Sequence, residues 1–215
     1  DIYFSPTDMG VNMVGYCIKN NDIVENAAKK EVVRRYFNEL CNYKQGISDF
    51  DTVQKIKLLM NELNIDENFL KVVEVSKKAS EKKKTNVIAL ELPKGKIITG
   101  KQTDLLSPAS SVIINAIKEL SKIPDEINLL SPTILEPILK LRKNNNTLSL
   151  QEVLIALAVC SVTNPSIASA LEKLEVLKDC EAHATYIVTN GDLKALKSLK
   201  INLTCEPNFY SKEIM

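Results

Sequence analysis

From Asp22 onward, apolar residues return every three or four positions: Val24, Ala28, Val32, Tyr36 and Leu40, with Val33, Phe37 and Cys41 beside them. That period describes a long helix with one apolar stripe, and Asp22 is a residue suited to cap its start. Gly46 closes it. Ser48, Asp49 and Asp51 are capping residues, and Val53, Ile56, Met60 and Leu63 then mark a second helix. Asp66 caps a third, which carries Phe69, Leu70, Val73 and Ala79 inward and pairs Glu74 with Lys78 on its outer face. The stretch before them, Asp1 to about Lys19, is punctuated by Pro6, Gly10 and Gly15 and reads as irregular or short extended structure. Residues 1–84 thus form a helical subdomain with an irregular start.

At Thr85 the pattern changes. Val87–Leu92 and Lys96–Thr99 are β-rich and flank Pro93-Lys94-Gly95, a hairpin signal. Ser107-Pro108 opens a helix whose buried face is Val112, Ile113, Ala116, Ile117 and Leu120. Ile127–Leu130 reads as a short strand, and Ser131-Pro132 repeats the helix start with Ile134, Leu135, Ile138 and Leu139 inside. Asn144-Asn145-Asn146 is a loop, and Ser149-Leu150-Gln151-Glu152 is a capping box. Val153–Cys160 is apolar on every side, the signature of a helix buried all round. Asn164-Pro165 opens another helix, Ala182–Val188 reads as a strand, Asn190-Gly191-Asp192 turns into a short helix, and Ile201–Thr204 is a last strand. Residues 85–215 are therefore expected to form a three-layer α/β subdomain with a mixed sheet of about five strands. The fold class is mixed α+β.

Charge and composition narrow the function. The 215 residues carry 28 Lys and Arg against 27 Asp and Glu, a formal charge of +1. A dedicated nucleic-acid binder carries a basic surplus, so no nucleic acid is expected as a partner. Aromatics make up only 5% of the chain and Trp is absent, which removes a stacking platform for single strands. No run approaches the ~18 apolar residues of a membrane span, and no signal peptide opens the chain, so no membrane is expected either. Five scattered cysteines without a C-x-x-C pair fit a reducing, cytoplasmic setting. The first residue is Asp1 rather than Met, which suggests a piece of a longer chain. Only Arg34, Arg35 and Arg142 offer the guanidinium fork that suits phosphate or carboxylate. Lys82-Lys83-Lys84 reads as the solvated last turn of a helix, where cations suit the dipole.

Candidate chemistry is sparse. Gly95 to Lys101 matches G-x-x-x-x-G-K, yet Gln102 stands where Ser or Thr would ligate magnesium. Moreover, Gly95 closes a hairpin and no helix begins before Ser107, so the backbone cannot converge on a phosphate there. His183, the single histidine, lies three residues after Cys180, with Cys205 on another strand. A Cys₂His zinc site is conceivable, but without paired spacing neither metal nor cofactor is expected. His183 and Cys205 could also serve as acid/base and nucleophile of a hydrolase or transferase. Three hydroxyl-rich helix starts, at Ser107-Pro108-Ala109-Ser110-Ser111, Ser131-Pro132-Thr133 and Thr163-Asn164-Pro165-Ser166, either cap their helices or help frame an anion pocket.

Several segments carry a resemblance. Ser5–Gly15 (SPTDMGVNMVG), Glu31–Tyr36 (EVVRRY), Ala89–Gly100 (ALELPKGKIITG), Glu152–Leu157 (EVLIAL), Cys180–Thr185 (CEAHAT) and Ile201–Pro207 (INLTCEP) resemble the bacterial family called domain of unknown function 1846, or uncharacterised protein family 0371. The resemblance implies a longer protein of which this chain is the C-terminal half. It also implies a helical subdomain followed by an α/β subdomain of cytidine-deaminase-like topology. The deaminase chemistry itself needs H-x-E followed by P-C-x-x-C, and neither occurs. The family supplies no catalytic residues to carry over.

The function expected from these features is a site for a phosphorylated or nucleotide-like metabolite, completed by the absent N-terminal half. Asp8, Asn12, Arg34, Ser107, Ser110, Ser111 and His183 are its candidate residues. The alternative is a non-catalytic structural or oligomerisation module, with a homo-oligomer as its expected state.

Overall fold

The computed structural model describes residues 21–141 and 147–210. The opening segment with Asp8 and Asn12, the residue Arg142 and the Asn144–Asn146 loop lie outside the described residues.

Three helices come first: α1 (Asn21–Lys44), α2 (Phe50–Glu62) and α3 (Lys71–Lys83). Asp49 caps α2 by accepting from the Thr52 amide at 2.8 Å. Asp66 caps only a short 3-10 turn, Glu67–Phe69, accepting from the Asn68 amide, and α3 starts afresh at Lys71. Val33, Tyr36, Phe37, Val53, Met60, Val72 and Val73 close the core between these helices, so the α1 stripe is buried in its second half. Lys82 and Lys83 do form the last turn of α3, and Lys84 leaves it in a left-handed conformation at φ 48°.

A hairpin follows, β1 (Val87–Glu91) and β2 (Ile97–Lys101), turning through Lys94 and Gly95 with positive φ at both. The remaining elements are α4 (Pro108–Leu120), α5 (Pro132–Lys140), α6 (Leu150–Ser161), α7 (Pro165–Glu172), β3 (Glu181–Ala184), α8 (Asn190–Ser198) and β4 (Asn202–Cys205). The sheet order is β2-β1-β3-β4, with β1 antiparallel to both neighbours and β3 parallel to β4. It is a mixed sheet in a mixed α/β fold.

Side chains alternate across the sheet. Ile88, Leu90, Ala182 and Ala184 face the larger core, shared with α4, α6, α7 and α8. Ala89 joins the smaller core under α1 and α3, and His183, its ladder partner, points to the same side against Phe37. Helices therefore cover both faces.

The described residues hold four strands rather than about five. Ile127–Leu130 is not a strand: it runs as bends and irregular chain, with Ile127 exposed and Leu129 and Leu130 buried in the larger core. A short apolar run has no period of its own to distinguish strand from buried turn. With Pro124 just before it and the Ser131-Pro132 helix start directly after, it has no length left to pair. The expectation that Val153–Cys160 is buried all round also fails. Ile155 is 59% and Val159 67% exposed, and with Ile134 and Ile138 of α5 they line a shallow apolar groove.

Candidate functional site

The helix starts behave as the local sequence dictates. Ser107 accepts from the Ser110 amide at 3.2 Å, its hydroxyl lies 3.0 Å from that of Ser110, and Ser110 donates onward to the Leu148 carbonyl. Ser107 and Ser110 are thus consumed in capping α4 and tying it to the strand-like bridge between Leu106 and Leu148. Ser131 accepts from Thr133 and Asn164 from Ser166 in the same manner. Ser111 differs. It is buried, and its hydroxyl has no hydrogen-bond partner among the described residues.

Ser111 belongs to the wall of a cleft of about 620 Å³ between β2, α4 and the turns leading into α5. Cavities that hold small molecules span roughly 300–1,000 Å³. Lys83, Lys96, Lys101 and Lys118 line it against two acids, Glu119 and Asp125. Ile98, Ile114, Leu129 and Leu135 supply its apolar wall, and Thr99, Asn115 and Asn128 add polar edges. Asn115 donates to the Thr99 carbonyl at 3.0 Å and Lys96 pairs with Glu119, so α4 is pinned along the outer edge of β2.

Lys118 is the exceptional member. It is only 6% exposed, and its ammonium donates to the Asp125 carbonyl oxygen at 2.9 Å. Among the described residues no carboxylate pairs with it. A buried ammonium normally has an ionic partner, because leaving water uncompensated is costly. Lys118 and Ser111 lie two turns apart on one face of α4, and both are buried polar groups with unused hydrogen-bonding capacity beside one cleft.

A second polar cluster lies under the other face of the sheet. His183 is fully buried, with Nδ1 2.8 Å from the Thr204 hydroxyl and Nε2 3.1 Å from Glu206. Glu206 also pairs with Lys77 at 2.9 Å, Lys77 with Glu67, and Glu67 with the Tyr36 hydroxyl. Burial lowers the His183 pKa and outweighs the opposing pull of Glu206, so the ring is neutral. Burial raises the Glu206 pKa, but hydrogen bonds from His183 and Lys77, with the Lys77 charge, more than reverse this, so it stays ionised. An ionised carboxylate only accepts, so Nε2 carries the proton, and the single hydroxyl proton of Thr204 is shared between Nδ1 and the Ala182 carbonyl at 3.1 Å.

The order Thr204, His183, Glu206 is that of a nucleophile, base and orienting acid. It is not laid out for catalysis in the described residues, because His183 and Thr204 are sealed and neither lines a described cleft. Cys205 does not join His183 either. It sits one residue beyond Thr204 in the ladder, so its side chain enters the opposite core. Burial pushes its thiol up to about 11, and that of Cys41 to about 12, where a thiolate nucleophile is disfavoured. Among the described residues no group of three His, Cys, Asp or Glu is arranged to hold a metal ion.

Arg34 stands elsewhere again. It binds Glu181 at 2.6 Å and Glu31 at 3.0 Å, joining α1 to the first residue of β3. The candidates from the sequence thus separate into a capping pair (Ser107, Ser110), a cleft residue (Ser111), an interlayer ion pair (Arg34) and a sealed network (His183). Lys118, Lys101 and Lys83 escape sequence reasoning as site residues. A lysine on a helix or edge strand normally marks a solvated surface, and the burial of Lys118 against the Asp125 carbonyl shows only in the fold.

The chain matches known proteins over 99% of its length. The model described as "Domain of unknown function DUF1846, C-terminal" covers residues 68–215, and the corresponding N-terminal one covers residues 1–64. A UPF0371 protein of Clostridium tetani (strain Massachusetts / E88) is 42% identical over 225 residues, which is 99% of this chain and 45% of that protein. A UPF0371 protein of Clostridium botulinum (strain Eklund 17B / Type B) is 46% identical over 226 residues, again 99% of this chain and 45% of its own length. The chain spans less than half the length of the curated relatives it matches. On these matches the chain belongs to the DUF1846 family.

Proposed function

We propose that this chain provides a binding site for a small anionic metabolite, phosphorylated or nucleotide-like in class, in the cleft beside β2. The observation that carries the reading is Lys118, a buried ammonium whose protein partner is a single backbone carbonyl. An anion in the cleft would give it the counter-charge that the described residues lack. Ser111 supplies a free hydroxyl on the same helix face, and Lys83 and Lys101 raise the local positive potential. In this reading the portion of the longer relatives that this chain does not span completes the site.

The second reading is a structural or oligomerisation module. It is favoured by the apolar groove of α5 and α6, where Ile155 and Val159 stand open to solvent. One experiment separates the two. Thermal unfolding is followed with added inorganic phosphate, phosphate esters and their unphosphorylated counterparts, because a ligand stabilises the fold it binds. The anion site predicts a higher midpoint with the phosphorylated compounds only, about 2–4 °C for each kcal/mol of linkage in a chain of this size. Lys118→Met should reduce that rise. Unchanged midpoints with every compound would sink the anion site and leave the module reading standing.

A further inference from the structure

The cleft has an axis, and its charges are sorted along it. Three contacts show that α4 runs antiparallel to β2. Gly100 abuts Val112, Asn115 reaches the Thr99 carbonyl, and Glu119 pairs with Lys96. One end therefore holds Lys101 with Ser111, and Lys83 reaches it from the end of α3; the other end holds Lys96, Lys118 and Glu119. Seven residues of helix separate Ser111 from Lys118, a rise of about 10 Å. Five residues of strand separate Lys96 from Lys101, about 16 Å. Ile98 and Ile114 lie between the two ends.

The acids are not shared equally. Glu119 already neutralises Lys96, and Asp125 meets the cleft beside Lys118 through its backbone carbonyl, so both acids sit at the far end. At the near end no acid among the described residues lines the cleft against Lys83 and Lys101. The near end therefore suits a dianion such as a phosphate, held by lysine point charges rather than an arginine fork. The far end offers one buried, unpaired ammonium, which suits a second anionic group. We infer that the ligand is doubly anionic, with a phosphate at the Lys83–Lys101–Ser111 end and a second anionic group at Lys118, separated by a short uncharged body. This rests on the proposed anion site and sharpens it, since a ligand with a single charged group would leave one end unsatisfied.

Isothermal titration of this chain with fructose 1,6-bisphosphate, fructose 6-phosphate and inorganic phosphate tests it. The bisphosphate should bind at least tenfold more tightly than the monophosphate. Lys118→Met should remove that margin while Lys118→Arg, which retains the charge, keeps most of it. Lys101→Gln changes an exposed residue, leaves folding unaffected, and should weaken both sugar phosphates at least fivefold. Equal affinity for the two sugar phosphates, or an unaltered tenfold margin in Lys118→Met, would overturn the two-ended ligand and leave the anion site intact. Failure of all three probes to bind would overturn both.

Discussion

His183 shows how one residue's surroundings decide what it can do. Its ring is held between Thr204 and Glu206, lies tilted against Phe37 at 4.7 Å between centroids, and sees the charges of Lys77 and Glu67 beyond Glu206. Because burial lowers its folded-state pKa below the ordinary 6.5, the unfolded chain binds a proton more readily there. Stability from this residue is complete above pH 6.5 and is lost as pH falls toward the folded-state value. Glu206 acts in the same direction in a lower window. Its pKa is depressed from 4.5, so its contribution is full above that pH and disappears as the carboxyl protonates in the fold. Urea unfolding between pH 8 and 4 should therefore show a plateau that begins to decline near pH 6.5. His183→Gln should flatten the first decline by up to about 1.4 kcal/mol per pH unit. An identical pH profile in that variant would mean that His183 is not held neutral.

At the scale of elements, the seam between β2 and α4 sets both the fold and the cleft. Gly100 is the residue that allows it. A Cβ there would lie 2.1 Å from the Val112 amide nitrogen, backbone that cannot step aside without moving α4. Gly100→Ala should therefore cost about 1–3 kcal/mol in chemical denaturation, whereas Gly191→Ala, which meets nothing within 4 Å, should stay within about 0.5 kcal/mol of neutral. Equal effects of the two would show that the seam is looser than its packing indicates. The same seam explains why Gly95-x-x-x-x-Gly100-Lys101 is no phosphate loop: Gly95 turns a hairpin, and Gly100 admits a helix. Ser107-Pro108, Ser131-Pro132, Ser149–Glu152 and Asn164-Pro165 mark their helix starts correctly, because capping is chemistry between residues two or three apart. Ile127–Leu130 and the outer face of α6 are misread for the opposite reason. Whether an apolar run pairs, turns or stays open depends on what packs against it, which no local window contains.

Across the whole molecule, the sheet separates two polar systems with different fates. Under α1 and α3, Tyr36, Glu67, Lys77, Glu206 and His183 satisfy one another, from the fully buried ring of His183 out to the part-exposed Lys77 and Glu67. Beside β2, Lys118 and Ser111 remain incompletely satisfied at an open cleft. The first system joins residues up to 170 positions apart, from Tyr36 to Glu206, and so has no signature in spacing. Of the second, only Ser111 stands out in the sequence, as part of a hydroxyl-rich helix start; burial singles out Lys118, and the fold alone brings Lys83 and Lys101 to the same cleft. The central claim, that this cleft holds anions, is tested most directly by a crystal soaked in tungstate, a phosphate mimic located by its anomalous scattering. The account predicts tungstate in the cleft within reach of Lys101 and Lys83, lost in Lys101→Gln. Tungstate bound only outside the cleft, or none at saturating concentration, would contradict it.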